Sequence, residues 1–345
     1  MIDTDALVIG AGPTGLFQAF QLGLLGLSVQ VVDAWPQAGG QCLALYPDKP
    51  IYDIPGVPVC TGRELTARLL EQLRPLPAGL HFGHEVCTLQ PQDDGRFTVG
   101  TAAGLTFNAH SVCIAAGVGA FAPRKLKVPA LVAHEQRQVS HHPDDLAPFV
   151  GQRVVVVGGD EAALERAAWL AEQSQSLQSP AVTLLHRRDQ FSADAPLLDR
   201  IARLRSAARL QVVIGQITDA TEAADRLTAV AVLEPDGQTT PLPLDQLIVC
   251  QGLSPRLGPI ADWGLAMERK LLPVDTATFA TATPGVYAVG DINTYAGKLK
   301  LILCGFHEAT LAAHAIHARR HPQARGPLLY TTSSTVLQRR LGLID

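Results

Sequence analysis

The chain has 345 residues, 47% of them hydrophobic, and so much apolar material in so long a chain predicts two domains, because single cores seldom grow past roughly 250 to 300 residues. A formal net charge of −4 and a sequence pI near 6.3 provide no global basic field, which argues against a nucleic-acid partner.

The first elements read as strand, turn, helix and second strand. Ala6-Leu7-Val8-Ile9 enters Gly10-Ala11-Gly12-Pro13-Thr14-Gly15, an apolar helix follows, and Val29-Gln30-Val31-Val32 ends in Asp33. Gly10 allows a sharp turn, Gly12 removes the side chain that would keep backbone N–H groups from a pyrophosphate, and Gly15 lets the helix lie close on the sheet. Pro13 and Thr14 open that helix, whose positive end would face the phosphates. Asp33 lies 23 residues after Gly10, where a carboxylate can accept from the ribose hydroxyls of an adenine dinucleotide. The plainer alternative is a glycine turn that only packs a helix on a sheet; the strand before it and the acid after it favour the dinucleotide.

Trp35 to Pro47 is too long for a simple connection and predicts a loop wrapped around a ligand. Gly39 and Gly40 permit close backbone approach, Gln41 offers an amide, and Tyr46 offers either a flat face for a ligand or an ordinary aromatic for the core. Gly62 to Arg74 predicts a helix. Leu80 to Cys87, which contains Val86, and Phe97 to Thr106 predict strands around turns such as Asp94-Gly95. Ser111 to Gly117 reads as a buried strand ending in Ala115-Ala116-Gly117, small enough for the chain to pass beside a cofactor.

A second cycle begins at Gln152-Arg153-Val154-Val155-Val156-Val157-Gly158-Gly159-Asp160-Glu161-Ala162-Ala163 and repeats the strand, turn and helix. Its next strand, Ala181 to Leu185, ends in His186-Arg187-Arg188 rather than an acid. Arg187 and Arg188 in place of a carboxylate suit a 2'-phosphate, so this site is expected to prefer NADPH to NADH. A solvated basic strand end is the alternative. Asp160 stands where the second glycine of the fingerprint belongs. Within ~4 Å of a phosphate its carboxylate would cost on the order of 4 kcal/mol at an effective dielectric of about 20. It can also serve simply as a helix N-cap.

Asp199 to Ala208 predicts an amphipathic helix and Leu210 to Glu234 the strands of a covering layer. Gln246 to Pro255 echoes Ser111 to Gly117 and returns the chain to the first domain. There Pro284 to Ile292 forms a short strand delivering Asp291, and Leu299 to Arg320 carries the next helix. Asp291 could accept from a cofactor hydroxyl or cap a turn. The tail from Tyr330 onward shows no clear independent fold. Two basic clusters, Arg124-Lys125-Lys127 and Lys298-Lys300, read as solvated charge or as docking points for an acidic partner.

The six cysteines stand at 42, 60, 87, 113, 250 and 304 with no C-x-x-C among them, which removes a dithiol centre and a zinc ribbon. Most sit in apolar runs and read as reduced core residues of a cytoplasmic protein. No apolar run reaches the ~18 residues of a membrane span, a strand starts too early to leave room for a signal peptide, and His141-His142 lacks companions at metal spacing.

Together these stretches resemble the ferredoxin-NADP+ reductases of the thioredoxin-reductase-like type. The resemblance rests on the G-A-G-P-T-G-L-F opening, the loop from 39 to 56, H-R-R-D-Q-F at 186 to 191, and G-V-Y-A-V-G-D-I followed by K-L-K-L-I-L-C-G-F-H-E-A up to 309. It implies an α/β chain of two Rossmann-like, three-layer ββα dinucleotide-binding domains, the second inserted in the first. FAD would occupy 1–117 with 249–330, NADPH would occupy 118–248, and 331–345 would be a C-terminal tail. It further implies a homodimer that exchanges electrons with ferredoxin or flavodoxin.

Carried over residue by residue, Tyr46 would stack on the isoalloxazine, Asp33 would hold the FAD ribose, and Asp291 would lie near the ribityl and phosphate groups. Gln41, Val86, Ala116 and Gly117 join the glycine turn on the FAD side; Gly158, Asp160, Arg187 and Arg188 fall to NADPH. Ser333 stands in the tail where the family often stacks an aromatic or histidine over the partner's flavin. Asp160, Ser333 and His307, which replaces a glycine at a helix start, are departures from the pattern. Hydride transfer between the cofactors requires no protein acid or base. The competing readings are an NAD(P)H dehydrogenase using quinones or other small oxidants, and a flavin-binding redox sensor with a weakened nucleotide site.

Overall fold

The computed structural model describes residues 1–135, 137–143, 145–174, 181–323 and 327–344. The chain divides into two compact units, Met1–Phe121 with Pro255–Asp345, and Ala122–Ser254 inserted between them. The divisions fall a few residues outside the 117/118 and 248/249 read from the sequence.

In the order of the chain, the first unit contributes β1 (Ile2–Ile9), α1 (Pro13–Leu24), β2 (Val29–Asp33), α2 (Gly40–Leu45), α3 (Gly62–Leu73), β3 (Ala78–Phe82), β4 (Val86–Pro91), β5 (Phe97–Thr101) and β6 (Thr106–Ile114). The inserted unit follows with β7 (Val139–His141), β8 (Val154–Val157), α4 (Glu161–Gln173), β9 (Val182–His186), α5 (Ala195–Ser206), β10 (Leu210–Ile214), β11 (Gln216–Ala223), β12 (Arg226–Leu233), β13 (Thr239–Pro243) and β14 (Gln246–Val249). The first unit then resumes with β15 (Val286–Ala288), α6 (Ile302–Arg320) and α7 (Thr335–Arg340).

The sheet of the first unit runs β3-β2-β1-β6-β5-β4, with β15 also on β6. β6 makes this possible because it is long: its first half pairs antiparallel with β5, and Val112 to Ile114 pair in parallel with β15. One strand thus belongs to both a parallel sheet and an antiparallel meander. The apolar runs in β1 and β6 follow from burial on both faces. Ala6 and Val8 face α1 and α6, meeting Leu16, Ala19, Ala312 and Ile316. Leu7 and Ile9 face the meander and meet Val99 and Phe107. These are the three layers, helices, sheet and meander.

The inserted unit builds the same pattern from its own strands. Its parallel sheet runs β7-β14-β8-β9-β10, and β11-β12-β13 form a separate antiparallel sheet. Val154 and Val156 pack against α4 and α5, while Val155 and Val157 pack against Val230 and Val232 of the antiparallel sheet.

Several boundaries differ from the sequence reading for identifiable reasons. α5 starts at Ala195 rather than Asp199 because Asp194 caps it, accepting from the Leu197 N–H, with a proline in the first turn. The strand read from Phe97 to Thr106 is two strands, since the chain reverses at Ala102 to Gly104. The span from Leu80 to Cys87 is likewise broken between β3 and β4. The tail is not featureless: α7 buries Leu337, and Arg340 Nη1 donates to the Leu24 carbonyl at 2.7 Å.

Candidate functional site

The glycine turn between β1 and α1 opens onto a cleft lined by Gly10, Gly12, Pro13 and Thr14. Gly10 has φ +109°, and an added Cβ would lie 2.4 Å from the Ala115 carbonyl oxygen, so only glycine lets the turn pass over the end of β6. At Gly12 a Cβ would meet nothing closer than the Gly40 Cα at 3.9 Å and would project into open space. α1 has no side-chain cap, no acid in its first turn and Pro13 at its start. Its first N–H groups are therefore free for an anion, where the helix dipole favours negative charge. This bare cradle fits a pyrophosphate. Gly15 does not line the cleft; it is buried in the first turn of α1 and packs the helix on the Gly10 carbonyl.

Asp33 lies in the cleft wall, and its carboxylate is already engaged. Oδ2 accepts from the Ala11 N–H at 2.6 Å and Oδ1 from the Trp35 N–H at 2.8 Å. Burial pushes the carboxyl above the usual carboxylate range, and the two N–H donors pull it back part of the way. Each oxygen keeps a lone-pair direction for a ribose hydroxyl.

The long loop after β2 contains α2, tied to the glycine turn by the Gly39 N–H on the Ala11 carbonyl at 2.9 Å. Gln41, Tyr46, Val86, Ala116, Gly117 and Asp291 all reach the same cleft. Tyr46, at the C-terminal end of α2, lies 3.5 Å from Cys42 Sγ through its hydroxyl. Its phenol is held neutral, pushed up by burial and then by Cys42.

Asp291 follows Gly290 in a single helical turn after β15. Burial raises its carboxyl above the ordinary value; Lys298 and Lys300 oppose the shift. The cleft is completed by Lys300, Leu301 and Ile302, the uncapped start of the 19-residue helix α6. His307 is not among the lining residues and sets its ring edge-on to Phe279 at 6.4 Å.

Sequence reasoning missed one feature here. Glu308, fully buried, accepts from the Gly290 N–H at 2.7 Å, Asn293 Nδ2 at 2.8 Å and Tyr295 Oη at 2.9 Å, and it pairs with Lys298. Lys298 is therefore an internal cation, not half of a docking patch with Lys300. The signal available was a Lys and a Glu separated by ten residues on either side of a helix start, which no helical spacing relates.

In the inserted unit, Gly158, Asp160, Arg187 and Arg188 come together at the C-terminal ends of β8 and β9, where parallel sheets bind ligands. Asp160 is the N-cap of α4: its Oδ1 accepts from the Ala163 N–H at 3.1 Å, and Glu161 adds an acid to the first turn. Arg187 and Arg188 are exposed and form no ion pair among the described residues, whereas the nearby Arg205 is bound to Asp189 at 3.1 Å. His186, also missed, lays its ring against Gly159, where a Cβ would come within 2.6 Å of it. Burial, then the two arginines, depress its pKa. Ser333 is exposed in the turn before α7 and lines no part of its own chain's cleft.

Residues 4–319 match the family model described as pyridine nucleotide-disulphide oxidoreductase. A ferredoxin-NADP reductase from Acidovorax sp. (strain JS42) is 56% identical over 343 residues, 98% of this chain and 95% of the relative. One from Paracidovorax citrulli is 54% identical over 352 residues, covering 99% and 97%. Among solved structures, a thioredoxin reductase from T. acidophilum shares the fold at a TM-score of 0.61 and 22% identity, over 93% of this chain and 99% of that one. The chain belongs to the pyridine nucleotide-disulphide oxidoreductases and, among them, to the ferredoxin-NADP reductase family.

Proposed function

We propose that this chain passes electrons between NADPH and ferredoxin or flavodoxin through FAD. The observation that carries the reading is a single chain with two strand-turn-helix cradles whose strand ends differ, a carboxylate in one and two exposed guanidinium groups in the other. FAD supplies a hydride acceptor at the nicotinamide and releases electrons singly, as an iron-sulfur partner needs.

The chain's own residues bind and orient. The free N–H groups at the start of α1 hold the FAD pyrophosphate, Asp33 accepts from the adenosine ribose, and Asp291 accepts from the ribityl chain. The neutral Tyr46 presents its ring to the isoalloxazine. The uncapped start of α6 adds a second positive helix end to the cleft, beside Thr14 of α1. On the NADPH side Arg187 and Arg188 fork onto the 2'-phosphate. The chain carries no C-x-x-C motif that could serve as a dithiol relay.

The active form is a homodimer, supported by the exposed apolar residues Leu328, Leu329, Tyr330 and Val336 around the tail. The chain works in the cytoplasm, supported by six free cysteines. No helix among the described residues is long and apolar enough to cross a membrane.

The test is anaerobic addition of NADPH to the purified yellow protein, followed by oxidised ferredoxin, flavodoxin or a quinone. Rapid bleaching followed by reoxidation with ferredoxin or flavodoxin is expected. Absence of bleaching would point instead to a sensor, and reoxidation by quinone alone to a dehydrogenase.

A further inference from the structure

The buried Glu308 and Lys298 do something that neither the glycine turns nor the arginines explain. The pair grips Gly290 at both of its backbone polar groups: Glu308 Oε2 accepts from its N–H at 2.7 Å, and Lys298 Nζ donates to its carbonyl at 3.0 Å. Gly290 has φ +78°, a left-handed conformation that its lack of a Cβ leaves open. The next residue is Asp291, in the cleft wall. Two residues after Lys298, Lys300 begins a further stretch of the lining that runs into α6, and both Gly290 and Gly305 of α6 pack against Thr14. Asn293 and Tyr295, between these stretches in sequence, are bonded to the same carboxylate. One carboxylate thus ties the Gly290-Asp291 turn and the loop that follows it to α6.

We infer that Glu308 and Lys298 are positioning residues for the flavin: their ion pair fixes the Gly290-Asp291 turn and the start of α6 against the cofactor, and their mutual neutralisation sets the field the isoalloxazine experiences. The inference rests on the reading of the cleft as the FAD site. With side chains only 7% and 0% exposed, water does little to screen either charge, and removing one partner exposes the cleft to the other. Asp291 already senses both, its carboxyl being lowered by Lys298 and raised by Glu308.

The sign of the effect separates this role from a merely structural one. Glu308→Gln leaves an unpaired cation beside the cleft, which favours the anionic reduced flavin and shifts its midpoint potential upward. Lys298→Met leaves an unpaired anion and shifts it downward. The double variant, with no buried charge, returns close to the wild-type potential. It has lost the bond to the Gly290 carbonyl, however, so its apoprotein binds FAD at least ~10-fold more weakly in a titration followed by flavin fluorescence.

Opposite potential shifts in the single variants, cancelling in the double, are the expected result. Shifts of the same sign, or wild-type potentials together with wild-type FAD affinity, overturn the inference. Should a single variant fail to fold, the double and Tyr295→Phe carry the test: normal circular dichroism with weakened FAD binding supports the clamp, and undiminished FAD binding by the double defeats it. A wild-type protein that takes up no FAD would instead defeat the assignment of the cleft.

Discussion

The two cradles agree bond by bond until they reach the ligand. In the first, the Gly10 N–H donates to the Val32 carbonyl at 2.8 Å and the Ala115 N–H to the Ile9 carbonyl at 2.8 Å; in the second, Gly158 donates to Leu185 at 3.1 Å and Cys250 to Val157 at 2.7 Å. A Cβ on Gly10 would strike the Ala115 carbonyl, and one on Gly158 would strike the Cys250 carbonyl. The turns part company two residues later, where Gly12 leaves α1 bare and Asp160 caps α4 with its own carboxylate. They differ again at the strand end, where Asp33 accepts from the Ala11 N–H and His186 lays a ring on Gly159. Backbone contacts fix the turn, and the two cradles differ in the side chains to which the proposed choice between the two dinucleotides is assigned.

The strongest way to break this comparison is to give the first turn the acid of the second. Gly12→Asp has room in the fold, since a Cβ there meets nothing within 3.9 Å, and Gly12 already has extended backbone with φ −68°. Its charge would sit where the pyrophosphate belongs, at a cost of up to about 4 kcal/mol. FAD affinity of the apoprotein, measured by titration, should therefore fall by as much as ~10³-fold with little change in circular dichroism. Retention of FAD at wild-type strength would mean that the phosphates do not sit on α1.

Next in size is removal of the guanidinium pair. Arg187→Ala with Arg188→Ala deletes two charge-assisted contacts of about 1.5–3 kcal/mol each before losses to solvent screening. We expect KM for NADPH to rise by about 10- to 100-fold and KM for NADH to stay within about twofold. Equal losses for both coenzymes would show that the arginines serve the pyrophosphate or the fold instead.

How much of this was legible in the sequence follows from which contacts are local. The glycine turns, Asp33, and the change from an acid to His186-Arg187-Arg188 are written in short stretches whose spacing a strand and a helix convert directly into geometry. The capping role of Asp160 was readable for the same reason. Glu308 was not, because its partners Gly290, Asn293, Tyr295 and Lys298 lie in an irregular loop, where sequence separation says nothing about direction. The ring of His186 against Gly159 was equally hidden, since the contact joins two strands' ends rather than neighbours on one element. The break at Ala102 to Gly104 escaped notice because apolar alternation continues on both sides of it.

The comparison can also be sharpened from the other side. Asp160→Gly makes the second turn resemble the first, and replacing a cap by glycine costs only a few tenths of a kcal/mol of stability. Removing the charge should strengthen NADPH binding by about 1 kcal/mol, roughly fivefold, for a carboxylate partly turned to water. Isothermal titration with NADP+ reads this directly. An unchanged affinity would show that Asp160 acts only as the cap of α4.

The smallest expected effects are the pH slopes of the two strand ends, and they should have opposite signs. Burial raises the Asp33 carboxyl above its ordinary 3.8, so the folded state binds that proton more readily than the unfolded chain. Stability of the wild-type apoprotein relative to Asp33→Asn should therefore rise as pH falls from neutrality through the raised pKa, levelling off below about 3.8. His186 is depressed below its ordinary 6.5, so the folded state binds that proton less readily. Stability relative to His186→Gln should be fully present above pH 6.5 and be lost as pH falls through the depressed value. Thermal unfolding of the apoprotein and the two variants across this range measures both slopes. Slopes of the same sign would mean that the strand ends do not share the environment that the matching backbone bonds imply.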